Sequence, residues 1–469
     1  MRISRDNHII SVVVIAGSVL NAFAADYPES IAGSAPSDPQ GFTKTANPPA
    51  WKKPSWLADL SLDVKESYDD NIYLSGVDGK YLPPSYTVPP GSVAALKDHS
   101  SFVTTVSPKI GVDFAPLLGN QNTLQVFSLT YAPDFGFYHN EPTENYEAHR
   151  FPITVKGDRD SFSFSLDNRL SFIDGSREGP TYPGGLLNAY ATCAPRERRE
   201  QLNDQGTVFF QYDHDKWFVR PTASLLFYDM MTELRNVTGY QNYVDRYDVN
   251  GGADFGYHVE QQLAVTLGYR YGHQYQEQLS FSPYSSSSDY QRVLAGIEGK
   301  PWKWLQVKLQ GGPDFRSYAP DTATHITPVS DKHPVYYYGE ASLIATLTTK
   351  DTLELRYRQF QWVSQLGNIP YFDSMYELSY RRKLSDRLTL DLGGSVLSSD
   401  YTSGNLSSSQ RDDYQYTVSA GLGYSFNAHV SAKLTYTFNA GRNAQDGVVA
   451  PQTREFDQNV ISIAALFTF

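Results

Sequence analysis

Arg270, Lys308, Arg316, Glu340, Glu354, Arg356, Arg358, Glu377 and Arg381 fall on alternate positions of segments whose other positions are largely apolar. Charged side chains of this kind act by holding ions, water and polar solutes. Arranged round a water path, they set which charges pass. Acidic and basic members nearly balance, and a balanced lining predicts weak ion selectivity, because strong selectivity needs rings of one sign. Arg356 and Arg358, with Arg316 and Arg381 in nearby segments, form either a basic ladder facing the acids or one half of a set of cross-strand ion pairs. The pairs are the favoured reading. A second basic group, Arg196, Arg198 and Arg199, lies in the long stretch 174–200. Folded inward, that stretch is a constriction loop; folded outward, it is a surface loop. Cys193, in the same stretch, is the only cysteine, so no intrachain disulfide forms.

Signals for bond-making chemistry are poor. No HExxH, G-x-S-x-G or P-loop pattern occurs, and the ten His show no metal-ligand spacing. No enzyme activity, metal or cofactor is expected. A lipid hydrolase with Ser and His on a lipid-facing wall is the least favoured alternative. His258, His273 and His333 lie near segment ends, but no Ser is tied to them by sequence. A net charge of −12 argues against a nucleic-acid partner, which wants a basic face.

The elements that must position these charges alternate with period two, the mark of a strand with one apolar face. Leu263, Val265, Leu267, Tyr269 and Tyr271 stand opposite Thr266, Gly268 and Arg270. Tyr414, Tyr416, Val418, Ala420, Leu422, Tyr424 and Phe426 stand opposite Gln415, Thr417, Ser419, Gly421, Gly423 and Ser425. The segments run to about 12 to 16 residues, against a usual five or six. A tilted strand needs only about 9 to 11 to cross hydrocarbon. Connections alternate short and long, as in bacterial outer-membrane barrels with tight periplasmic turns and large outer loops. The link near residues 365–370 is short where a long one is due. The pattern predicts an all-β, transmembrane antiparallel β-barrel of about 18 strands (roughly 16 to 20). Crossings beginning near residues 122 and 202 alternate poorly. A wall apolar only at alternate positions also explains a mean hydropathy of −0.43 in a membrane protein.

The chain divides into three parts. Arg2 and Arg5, the apolar run Ile9 to Leu20 and Ala22-Phe23-Ala24 predict a signal peptide over 1–24, too short to span about 30 Å of hydrocarbon. Residues 25–56, rich in Pro, Ser, Ala and Gly, predict a periplasmic tail or linker. The barrel occupies 57–469, in the outer membrane of a Gram-negative envelope.

The last row, NVISIAALFTF, resembles the recognition signal of outer-membrane β-barrel proteins, with Phe467 and Phe469 as its aromatic anchors. The resemblance implies the outer-membrane assembly machinery as a partner. At the end of the first strand, SYDDNIYL (Ser67–Leu74) resembles the type 2 kind of outer-membrane β-barrel porins, some of which accompany exopolysaccharide export. That family brings no catalytic or binding residues. Asp69 and Asp70 read either as part of a loop cation site or, preferably, as a solvated strand end. The function expected is a porin-like, weakly selective channel for small hydrophilic solutes, in contact with outer-membrane lipid, with a link to polysaccharide export as an added expectation. A plugged, non-conducting barrel with a surface-interaction role is the alternative. The solute and the oligomeric state are not written in the sequence.

Overall fold

The computed structural model describes residues 53–72, 100–119, 123–175, 200–231, 244–277, 286–318, 333–363, 370–401, 411–445 and 456–469. In chain order the strands are β1 (Leu57–Asp69), β2 (Ser101–Asp113), β3 (Leu124–Tyr131), β4 (Asp134–Tyr138), β5 (Tyr146–Arg159) and β6 (Phe162–Asp174). Then come β7 (Gln201–His214), β8 (Trp217–Asp229), β9 (Arg246–Glu260), β10 (Leu263–Gln276), β11 (Ser288–Trp302) and β12 (Leu305–Tyr318). The last are β13 (Val335–Thr346), β14 (Asp351–Trp362), β15 (Tyr371–Lys383), β16 (Leu388–Tyr401), β17 (Arg411–Ser425), β18 (Val430–Gln445) and β19 (Phe456–Thr468). A single helical turn, α1 (Ala115–Leu118), follows β2. The signal-peptide stretch, nearly all of the tail, and the loop carrying Cys193, Arg196, Arg198 and Arg199 lie outside the described residues.

Each strand pairs antiparallel with its neighbours, and β19 pairs with β1, so the sheet closes on itself. The closing register runs from Ser61 opposite Thr468 to Asp69 opposite Val460. The third crossing is broken. β3 and β4 both lie between β2 and β5, one over the short-turn half and the other over the long-loop half. Ala132 and Pro133 separate them, and proline has no amide to give a ladder. The wall therefore has 18 staves built from 19 segments. Tight links at Asp160 and Asp215 carry positive φ (55° and 50°), a region that Asp enters more readily than most residues.

The outer face is apolar along almost its whole height. Leu267 (59% exposed), Val418 (57%) and Ile463 (59%) stand on it mid-wall. Aromatic rings gather at the short-turn rim. Trp302 stacks on Trp304 at 5.8 Å, Phe162 lies 4.9 Å from Tyr212, and Tyr424 meets Phe426 edge-on at 5.0 Å. At the other rim Tyr68 lies 5.2 Å from Phe102. Polar groups interrupt this surface, among them His273, whose Nδ1 lies 2.8 Å from Asp289 Oδ1. Thr104 Oγ1 donates to Glu66 Oε2 at 2.6 Å beside His139, and Asn168 Nδ2 donates to Asp204 Oδ1 at 2.7 Å.

Asp69, Asp70 and Asn71, at the end of β1, form the clasp of the closing seam. On the outer side Asn459 gives its amide N–H and its side-chain Nδ2 to the two carboxylate oxygens of Asp70, both at 2.7 Å, and accepts from Tyr436 Oη at 2.8 Å. On the inner side Thr417 donates to Asn439 (2.9 Å), Asn439 to Gln458 (2.8 Å) and Gln458 Nε2 to Asp69 Oδ2 (2.9 Å). Asn71 Nδ2 completes the clasp on Asp457 O at 2.9 Å. These bonds tie β17, β18, β19 and β1 into one register. A one-residue slip would turn Asn459 inward and Gln458 outward and lose the whole set.

Candidate functional site

The face opposite the apolar one is polar, and it is the inside of the cylinder. Its charges meet across neighbouring strands, so the cross-strand pairs describe most of the wall. Near the short-turn end Arg220 donates Nη1 and Nη2 to the two oxygens of Glu298 (2.9 and 2.8 Å) and Nε to Asp254 (3.2 Å). Arg270 joins the same group, with Nη2 2.8 Å from Asp254 Oδ1. Lys308 lies 3.3 Å from Glu340. Further round, Arg356 binds Glu354 at 2.6 Å and reaches Glu377 at 3.8 Å, while Arg381 and Lys433 share Asp391 at 2.8 and 3.1 Å. Arg358 stacks over Phe360 with its guanidinium carbon 4.7 Å from the ring centroid.

Toward the long-loop end the polar face is denser. Arg316 (3% exposed) donates to Gln274 Oε1 (2.7 Å), Ser288 Oγ (3.1 Å) and Asp314 Oδ2 (3.1 Å). Arg292 donates to the same Asp314 oxygen at 2.8 Å and lies between the rings of Tyr290 (4.1 Å) and Tyr338 (4.6 Å). Tyr290 Oη donates to Asp248 at 2.7 Å. The ring of Tyr290 lies directly over Gly272, where a Cβ would collide with it. Glycine there lets the tyrosine lie flat along the wall beneath two arginines. Stacked guanidiniums keep their charge while losing water, each such contact contributing about 0.5 to 2 kcal/mol.

At the same end the lumen narrows at the last residues of β14, beyond the Glu354, Arg356 and Arg358 that the sequence singles out. The β13–β14 ladder stops at Gly339 opposite Gln359, while β14 stays paired with β15 as far as Trp362 opposite Tyr371. Past Gln359, β14 leaves β13 and leans into the cylinder. Tyr336 and Phe372 come together behind it at 4.5 Å. Phe360, Gln361, Trp362 and Val363 are all buried, which a strand in the wall, with one face outward, cannot achieve. Gln274 Nε2 donates to Gln361 O (3.1 Å), and Arg246 Nη1 donates to Val363 O (2.9 Å). These partners sit on β10 and β9, four and five places away round the sheet. Arg246 also packs against the rings of Tyr228 (4.9 Å) and Trp362 (5.2 Å). Among the described residues, Leu226 joins Phe360, Trp362 and Val363 in an apolar cluster of buried side chains, with Tyr228, Tyr338 and Tyr371 against it.

No family profile matches the sequence, and no curated protein does. Among solved structures, the outer membrane protein OpdK from Pseudomonas aeruginosa is 12% identical over 88% of this chain and 99% of its own, with a TM-score of 0.40. OpdK from the same organism with vanillate gives 11% over 88% and 100%, TM-score 0.41. OccK2 (OpdF) from the same organism, in complex with glucuronate, gives 10% over 88% and 98%, TM-score 0.40. Scores at this level carry no weight for this chain, and the closed barrel stands on its own strand pairing.

Proposed function

We propose that the protein is a porin-like channel of a bacterial outer membrane that admits small hydrophilic solutes with weak ion selectivity. One observation carries the reading: a closed wall is apolar outside and lined inside by charges of both signs in near balance. Residues 1–24 serve export, 25–56 form a periplasmic tail, and Phe467 and Phe469 address the chain to the assembly machinery. Paired charges stiffen the wall and leave little net field to sort ions. The narrowing at Trp362 favours small solutes and gives no support to passage of a polysaccharide.

The same narrowing favours a second reading, a plugged barrel that displays its loops. Recording from the purified protein in planar bilayers separates the two. The channel reading expects small, discrete conductance steps with a reversal potential near zero in a salt gradient. Absence of steps in every salt tested would leave only the plug. The outer-face group of Thr104, His139 and Glu66 is not arranged as a hydrolase relay. His139 Nε2 is the nitrogen nearest both Thr104 Oγ1 (2.8 Å) and Glu66 (3.8 Å). A relay needs the acid on the other ring nitrogen.

A further inference from the structure

We propose that the end of β14, Phe360–Val363, is a gate across the lumen and that Arg246 is the positioning residue that latches it shut. The inference rests on the channel reading for its function but not for its motion. Three features argue for a movable part rather than a fixed piece of wall. The segment has already left one of its two ladders, so moving it outward breaks no β13–β14 pair beyond Gln359. Its closed position is held from the far wall by the bonds of Arg246 and Gln274 to backbone carbonyls and by one apolar cluster. The closed position also leaves an acceptor unserved: Gln361 Oε1 is buried with no donor among the described residues, while its Nε2 turns back on Trp362 O. A buried acceptor without a donor costs free energy that hydration on opening returns. Closure therefore carries a built-in opposing term, and Arg246 is placed to outweigh it. Its guanidinium reaches Val363 O while its flat faces pack against Tyr228 and Trp362, so one side chain fixes the end of the strand and the ring before it.

The test uses the full chain with Cys193→Ser, reconstituted in lipid vesicles, and Val363→Cys as reporter. Val363 is fully buried when the gate is shut, so a water-soluble maleimide reports opening. Adding Arg246→Ala is expected to speed labelling about tenfold or more, the equivalent of losing one hydrogen bond from a charged donor. Adding Gln274→Ala instead is expected to speed it less, and this variant carries the test if Arg246→Ala fails to fold. Bilayer steps should grow in the same order. Unchanged labelling in the variants that fold overturns the gate. Faster labelling with no conductance in any variant keeps the gate and overturns the channel reading.

Discussion

Arg220→Ala is expected to destabilise the barrel by about 3 to 5 kcal/mol, because it strips Glu298 of its arginine and Asp254 of one of its two. The Arg220 side chain is 9% exposed and Asp254 is 6% exposed, with Glu298 bound at both oxygens. Removing the guanidinium leaves Asp254 with Arg270 and takes both hydrogen bonds from Glu298. Pairing does not make this group an efficient source of stability, since bringing three charges out of water costs several kcal/mol each before they attract. Breaking the group is what is expensive. Urea unfolding in lipid vesicles, followed by tryptophan fluorescence, measures the loss. Arg159→Ala is the control. That arginine lies 3.9 Å from Asp160 in a turn, both side chains far in solvent, and its loss should cost under about 0.5 kcal/mol. Equal losses for the two would mean that the Arg220 group is hydrated and that the lumen there is wide and wet.

Val418→Arg is expected to cost about 2 to 4 kcal/mol in vesicles, the penalty for a cation at the hydrocarbon midplane of a barrel's outer face. Val418 is the eighth of the fifteen residues of β17, at its middle. Gln415→Lys, on the opposite face of the same strand, meets the water side and should be tolerated. The contrast matters more than either value. A soluble barrel would lose little at Val418, where the side chain already stands in solvent, and more at Gln415, where it would be forced inside.

Half of this architecture is legible in the amino-acid order, and the physical reason is local. A strand's two faces are written residue by residue, so the parity of Leu267 against Arg270, or of Val418 against Ser419, fixes outside and inside before any partner is known. The broken third crossing also leaves a mark, since Pro133 cannot serve the middle of a ladder. Contacts that depend on closure leave none. Asp69, Asp70 and Asn71 meet Asp457, Gln458 and Asn459 across nearly the full length of the chain, and only the closing register brings them together. Likewise the partners of Gln361 and Val363 lie on β9 and β10, which depends on the curvature and stagger of the whole wall. The bend itself had a local signal. At Phe360, Gln361 and Trp362 the parity inverts, with rings on the lumen positions and an amide on the lipid one, next to a link too short for its side of the barrel. Arg356 stands directly opposite Glu377, and Lys308 lies diagonal to Glu340, on the same inward face, so neighbouring strands at fixed register make these pairs readable.

The claim beneath all of this is that each crossing presents one set of alternate residues to hydrocarbon and the other to water within a closed cylinder. Single cysteines placed in turn from Gln415 to Leu422 of β17, in the Cys193→Ser chain in vesicles, test it most directly. A lipid-soluble thiol reagent should mark positions 416, 418, 420 and 422, and a small water-soluble one positions 415, 417, 419 and 421. Labelling of all eight by the water-soluble reagent, or with no alternation, would contradict the account.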